Sequence, residues 1–293
     1  MGKVISFMNM KGGVCKTTLC ANIANTLAVS FKKRVLVIDM DPQFNATQYI
    51  LGITKEDYME YYKKVKNEEK TIYHLFKDSK RNEKVSEQPK AVKSLFNSNN
   101  IEESYLHNDY IINIKDNFDM IVGDIDLIEL QIIQKDSVSK RLTKYINFKK
   151  LRNNYDYILI DCPPTYSFFF ISSYLASDTY IIPLKPDYVS SLGLSLLERA
   201  INSIEDRNVD IKSSGVVYTL IDTRNKLHEP VIEEIEKIIG SENVFKEQIK
   251  YFADVPRGLE EKNFMLDITN NGIDKSIKMI TEEFISRMEG ENE

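Results

Sequence analysis

Residues 4 to 18 read "VISFMNMKGGVCKTT", and this stretch decides the fold. The apolar run from Val4 to Phe7 has the composition of a buried strand, and a helical pattern follows from Thr17 to about Phe31. The segment between them has the chemistry of a phosphate-binding loop. Gly12 and Gly13 permit backbone angles that other residues resist, so successive N–H groups can point inward past Val14 and Cys15. The start of the helix adds the positive end of its dipole. Lys16 would neutralise the β- and γ-phosphates of a nucleotide, the Thr17 hydroxyl would ligate Mg2+, and Thr18 could reach the α-phosphate. One feature is unusual. Lys11 precedes Gly12, and the spacing "KGGVCKTT" is tighter than the standard loop, which begins on glycine. Lys11 stands where it cannot easily fold back onto the same phosphates, so a second lysine needs a second purpose.

The bulk properties suit an ordinary globular chain. It has 293 residues, 42% of them hydrophobic and 28% charged, enough for one large α/β domain or two small ones. The net charge of -5 argues against a globally basic nucleic-acid binder and leaves room for a local basic patch. The three cysteines, Cys15, Cys20 and Cys162, lack metal-ligand spacing and point to a reducing compartment. No run approaches the ~20 apolar residues of a membrane span. The chain enters its first strand almost at once, so neither a secretory leader nor an N-terminal DNA-recognition domain is expected. The expected location is cytoplasmic.

Further apolar runs alternate with helical patterns. "RVLVIDMD" (34–41), "YDYILIDCPP" (155–164), "DTYIIPLKPD" (178–187) and "SSGVVYTLID" (213–222) read as strands. Their continuous apolar character suits strands covered on both faces. Helices are expected over 193–204 and 227–239. The fold class is therefore α/β: a doubly wound, mostly parallel sheet with helices on both faces. Residues 54–117 are rich in Lys, Glu, Asn and Tyr and read as a charged insert within one domain, with short helices at "DYMEYYKKV" and "TIYHLF". At the chain end, Ile273, Ile277, Ile280 and Phe284 form one apolar stripe. The opposite face mixes acids with lysines, so this helix is expected to dock on its own domain rather than on a membrane.

Acidic partners follow the strands. "VLVIDMDPQFNAT" supplies Asp39 and Asp41 at a strand end, where such sheets bind ligands. "YDYILIDCPP" supplies Asp161 at another strand end, before Pro163 and Pro164 force an extended turn.

"KGGVCKTT" matches the deviant Walker A motif, and the sequence resembles the ParA-type (Soj-like) partition ATPases of plasmids and chromosomes. Residues 3 to 50 and 118 to 240 carry the resemblance. It implies a P-loop ATPase that uses ATP and Mg2+, yields ADP and phosphate, and forms a homodimer when ATP is bound. It implies that Lys11 reaches across the dimer into the partner's nucleotide, that Asp41 positions the attacking water, and that Asp39 and Asp161 lie near Mg2+. Pro186 and Asp187 would contact adenine or ribose. Phe44 replaces the glycine usual in the family's "DxDPQGNAT" segment. The family binds DNA non-specifically and answers to a ParB-like adaptor, which implies a nucleoid-associated location. Arg199, Arg224, Lys250 and Arg257 are the DNA-contact candidates, within a wider set of Arg207, Lys212, Lys226, Lys246 and Lys262. The alternative within the same group is a MinD-like positioning ATPase acting on a membrane or protein scaffold. An iron-protein role fails, because Cys162 belongs to the strand-end turn.

Overall fold

In the computed structural model the described residues are 1–77, 104–130, 136–204, 211–222, 224, 228–251, 263–269 and 272–290. Among them, seven strands form one sheet: β1 (Lys3–Phe7), β2 (Val35–Asp39), β3 (Ile112–Lys115), β4 (Phe118–Ile121), β5 (Tyr157–Asp161), β6 (Thr179–Leu184) and β7 (Lys212–Tyr218). Their spatial order is β3-β4-β2-β5-β1-β6-β7. All neighbouring pairs are parallel except β3 with β4.

The apolar runs have the expected cause. Every residue of β2 and β5 is buried. Leu36, Ile38, Ile158 and Ile160 feed a core on one face, while Val35, Val37, Tyr157 and Leu159 feed a core on the other. A strand covered on both sides has no solvent face on which to place polar residues. The first helix, Lys16–Ser30, and the C-terminal helix, Ile273–Gly290, lie over the second core. Ile273, Ile277, Ile280 and Phe284 are all buried there, and the Phe284 ring meets Tyr157 edge-on at 5.3 Å. Each such side chain contributes about 1.5–3 kcal/mol of burial. Arg287 secures the same helix by donating to the carbonyls of Ser214 and Val244.

The sequence reading missed β3 and β4. These strands have four residues each and are joined through Asp116 and Asn117, with Asn117 left-handed at φ 60°. Asn tolerates that conformation well, and the two-residue connection makes a tight hairpin. The expected helices at "DYMEYYKKV" and "TIYHLF" occur at Tyr58–Asn67 and Ile72–Phe76. Those expected over 193–204 and 227–239 occur at Ser190–Asn202 and His228–Ile239.

Parallel pairing sets the site. β2 and β5 run in register, Asp39 opposite Asp161, so both carboxylates end their strands side by side. β1 ends one strand away, and its loop opens over the same sheet edge.

Candidate nucleotide site

The loop after β1 is held from beneath by neutral side chains. Asn9 Nδ2 donates to the Pro183 carbonyl at 2.8 Å, while Asn9 Oδ1 accepts from the Lys11 N–H at 2.9 Å. On the far side the buried Thr219 hydroxyl donates to the Val14 carbonyl at 3.0 Å. Gly13 is left-handed at φ 72°, where glycine carries no steric cost. Cys15 is also left-handed, at φ 60°, and caps the first helix without a side-chain bond. That leaves the amides of the first turn without a side-chain cap, the arrangement an anion completes. Burial raises the Cys15 thiol, so it stays protonated, and all three cysteines are free.

The loop opens on a cavity of about 370 Å3 lined by Gly12, Gly13, Val14, Cys15, Lys16, Thr17 and Thr18, with Asp41, Gln43, Asn45, Gln48, Tyr49 and Pro164. A larger apolar groove of about 910 Å3, lined by Leu194, Ile201 and Ile235, lies elsewhere and contains no part of the phosphate loop. Lys16 is buried at 7% exposure, and its Nζ donates to the Lys11 carbonyl at 3.0 Å. Burial lowers its pKa, while Asp161, Cys162 and Asp41 pull the other way. A buried amine with one carbonyl partner suits a multiply charged anion.

Thr17 Oγ1 donates to Asp161 Oδ2 at 2.7 Å, while Asp161 Oδ1 is buried with no partner. Burial drives the Asp161 carboxyl up to about 7, with the Thr17 hydrogen bond and Lys16 opposing. An orphaned carboxylate oxygen beside a threonine hydroxyl is an oxygen-donor set that fits Mg2+, which takes few protein ligands and keeps phosphate and water for the rest. Among the described residues no group of three or more His, Cys, Asp or Glu could hold a metal alone.

Asp39 is used differently. Its Oδ2 accepts from the Thr47 N–H at 2.8 Å and the Thr47 hydroxyl at 2.7 Å, and its Oδ1 accepts from the Asp41 N–H at 3.2 Å. It therefore ties the strand end to the helix Asn45–Thr54. Asp41 lines the cavity at 5% exposure, and its Oδ1 accepts from the Gln43 N–H at 2.9 Å. Burial raises its pKa, offset by that N–H and by Lys16.

Neither Lys11 nor Asp187 is among the residues lining the cavity. The Lys11 amine donates to Asp187 at 2.6 Å, with side-chain exposures of 26% and 31%. Burial pushes Asp187 up, but hydrogen bonds from Lys11, Ser190 and the Val189 N–H outweigh it and hold it below the usual carboxylate range. Pro186 lies outside the cavity as well.

Of the DNA-contact candidates, Arg199 sits exposed in the last turn of Ser190–Asn202. Lys250 is exposed beside Ile221. Arg224 is 81% exposed and forked onto Asp222, holding that carboxyl down at about 2. Arg257 lies outside the described residues, as do Arg207, Lys226 and Lys262. The sequence reading did not single out Asn9, Thr47, Gly123 or Thr219. Asn9 and Thr47 sit inside motifs already marked, whereas Thr219 and Gly123 become visible only once distant strands meet.

The AAA_31 family model, described as an AAA domain, matches residues 2–213. The sporulation initiation inhibitor protein Soj of Bacillus subtilis (strain 168) is 32% identical over 260 residues, covering 88% of this chain and 86% of that protein. The chromosome partitioning protein ParA of Myxococcus xanthus is 31% identical over 262 residues, covering 88% of this chain and 77% of that protein. The crystal structure of a putative plasmid partition protein from Borrelia burgdorferi bound to AMPPNP superposes with a TM-score of 0.71 at 23% identity, over 98% of this chain and all of that one. Sheet order and loop together define a P-loop NTPase. The chain belongs to the ParA/Soj family of partition ATPases, with the deviant loop that its own residues spell.

Proposed function

We propose that this chain is a dimerising ATPase of DNA partition, a single ATPase domain whose charged insert spans about 54–117. ATP enters the cavity with its phosphates over Gly12 to Thr18. Lys16 and the first-turn amides bind the phosphate charge, which a low-dielectric wall strengthens. Thr17 and Asp161 would hold Mg2+, which when bound screens the phosphate oxygens. Asp41, buried and braced by the Gln43 N–H, orients the water that attacks the γ-phosphorus. Asp39 supports the strand end that carries Asp41.

The observation that carries this reading is the separation of the two lysines. Lys16 occupies the cavity, whereas Lys11 stands outside it on Asp187. An amine placed there serves a neighbour's nucleotide once the ion pair opens, which makes the dimer part of the site. Large apolar side chains exposed after the carboxyl ends of β5 and β6 support a covering partner: Tyr166, Tyr188, Val189 and Leu192. The ATP-bound dimer then binds DNA non-specifically through the exposed cations Arg199, Arg224 and Lys250, together with Arg257, and a ParB-like adaptor stimulates its hydrolysis. A cytoplasmic, nucleoid-associated location follows. The membrane alternative is weaker. Among the described residues no helix is long and apolar enough to cross a membrane, and the stripe of the terminal helix is buried in its own core.

The test is size-exclusion chromatography with a non-hydrolysable ATP analogue against ADP. Wild type dimerises only with the analogue. Lys11→Ala keeps nucleotide affinity and loses the dimer and the turnover. A normal dimer with normal turnover in that variant removes the trans assignment.

A further inference from the structure

Phe44 stands three residues after Asp41, in a conformation that glycine adopts freely and phenylalanine does not. It caps the helix Asn45–Thr54 at φ 42°, ψ 39°. A left-handed bulky residue persists only where its surroundings compensate. The compensation comes from the insert. The Tyr62 ring, from the helix Tyr58–Asn67, stacks on Phe44 at 5.4 Å with the planes 9° apart.

Tyr62 is itself fixed. It is buried, and its hydroxyl donates to the Gly123 carbonyl at 3.4 Å. One turn along the same helix, Lys66 is paired at 2.7 Å with Asp124, which is fully buried, and at 2.8 Å with Asp126. Gly123 closes the arrangement from the other side. A Cβ there would lie 2.8 Å from both Asp39 Oδ2 and Phe44 Cβ, and its N–H donates to Thr47 Oγ1 at 2.7 Å. Two segments, the helix Tyr58–Asn67 and residues 123–126, thus converge on the Asp41–Phe44 turn, which is closed by the Phe44 N–H to the Asp41 carbonyl at 2.7 Å.

We infer that the insert helix Tyr58–Asn67 is a positioning element for hydrolysis: stacking of Tyr62 on Phe44 holds the turn that aims Asp41. This rests on the reading of Asp41 as the water-orienting group. Neither Phe44 nor Tyr62 lines the phosphate cavity, so they act on turnover through the turn and leave nucleotide binding to Lys16 and Thr17. An aromatic pair worth about 0.5–1.5 kcal/mol corresponds to a change of roughly twofold to tenfold.

The experiment uses the full chain as Phe44→Gly, Tyr62→Ala and Tyr62→Phe. In Phe44→Gly and Tyr62→Ala, kcat falls roughly twofold to tenfold, while the Kd of a fluorescent ATP analogue stays within twofold. Amide hydrogen exchange at residues 43–47 accelerates by a similar factor. Tyr62→Phe keeps the ring and restores kcat and protection to near wild type. Unchanged kcat and exchange in Phe44→Gly overturn the inference, and so does nucleotide affinity that falls in step with kcat. Should Tyr62→Ala fail to fold, Phe44→Gly and Tyr62→Phe still decide the matter. Asp41→Ala separates the two levels. If it hydrolyses normally the site reading fails; if it is inert and Phe44→Gly is normal, only the positioning role fails.

Discussion

Replacing Asp161 with asparagine in protein free of nucleotide and metal should reduce the pH dependence of stability. The native carboxyl is fully buried and titrates at about 7, against an ordinary 3.8. Burial is the main cause, and the partnerless Oδ1 shows why ionisation is unfavourable. Between those two pH values the folded state holds a proton that the unfolded chain has released. The stabilisation is therefore complete below about pH 4 and lost as pH rises through about 7. At about 1.4 kcal/mol per pH decade the loss is about 4 kcal/mol. With an unfolding entropy near 2 cal/mol/K per residue, that amounts to roughly 7 °C in Tm for a chain of this length. The assay is thermal melting in EDTA at pH 5 and pH 8. Wild type should melt several degrees lower at pH 8, and Asp161→Asn should show a smaller difference, the remainder coming from Asp39 and Asp41, whose carboxyls burial also raises. Millimolar Mg2+ should recover wild type at pH 8, because the ion binds the ionised form, and should leave the variant unmoved. Equal pH slopes in the two proteins would refute the reasoning.

Three further outcomes are expected. Lys16→Ala removes the buried amine of the cavity and should abolish nucleotide binding by calorimetry while the far-ultraviolet circular dichroism spectrum is retained. Asp187→Asn should free the Lys11 amine while keeping Oδ1 for Val189 and Ser190; a partly exposed ion pair worth up to about 1 kcal/mol implies an analogue-bound dimer up to about fivefold tighter per subunit, read by sedimentation. Gly123→Ala should cost about 1–3 kcal/mol in urea unfolding, since its methyl meets Asp39 and the Phe44 Cβ at 2.8 Å.

The phosphate loop was legible because its chemistry is local. Strand, glycines, lysine, threonine and helix follow one another within residues 3–30, and nothing from elsewhere is needed to give them meaning. The long strands were legible for a related reason: burial on both faces leaves an apolar run that composition alone reveals. The β3–β4 hairpin was not, because its strands are only four residues each, too short for their pattern to stand out from the polar sequence around them. Asp39 was only half legible. Its place at a strand end was readable, but its bond to Thr47 depends on how the next helix returns.

Sequence alone thus determined the class of fold, the loop and the identity of the strand-end acids, since each follows from short-range pattern and side-chain chemistry. Tertiary structure alone decided that Lys11 rests on Asp187, 176 residues away, that Asp161 rather than Asp39 keeps an unpartnered oxygen, and that Tyr62 of the insert lies on Phe44. The physical reason is common to all three. Each depends on the register of neighbouring strands or the packing of a distant helix, and an ion pair, an orphaned oxygen or a stacked ring exists only once those surfaces have met.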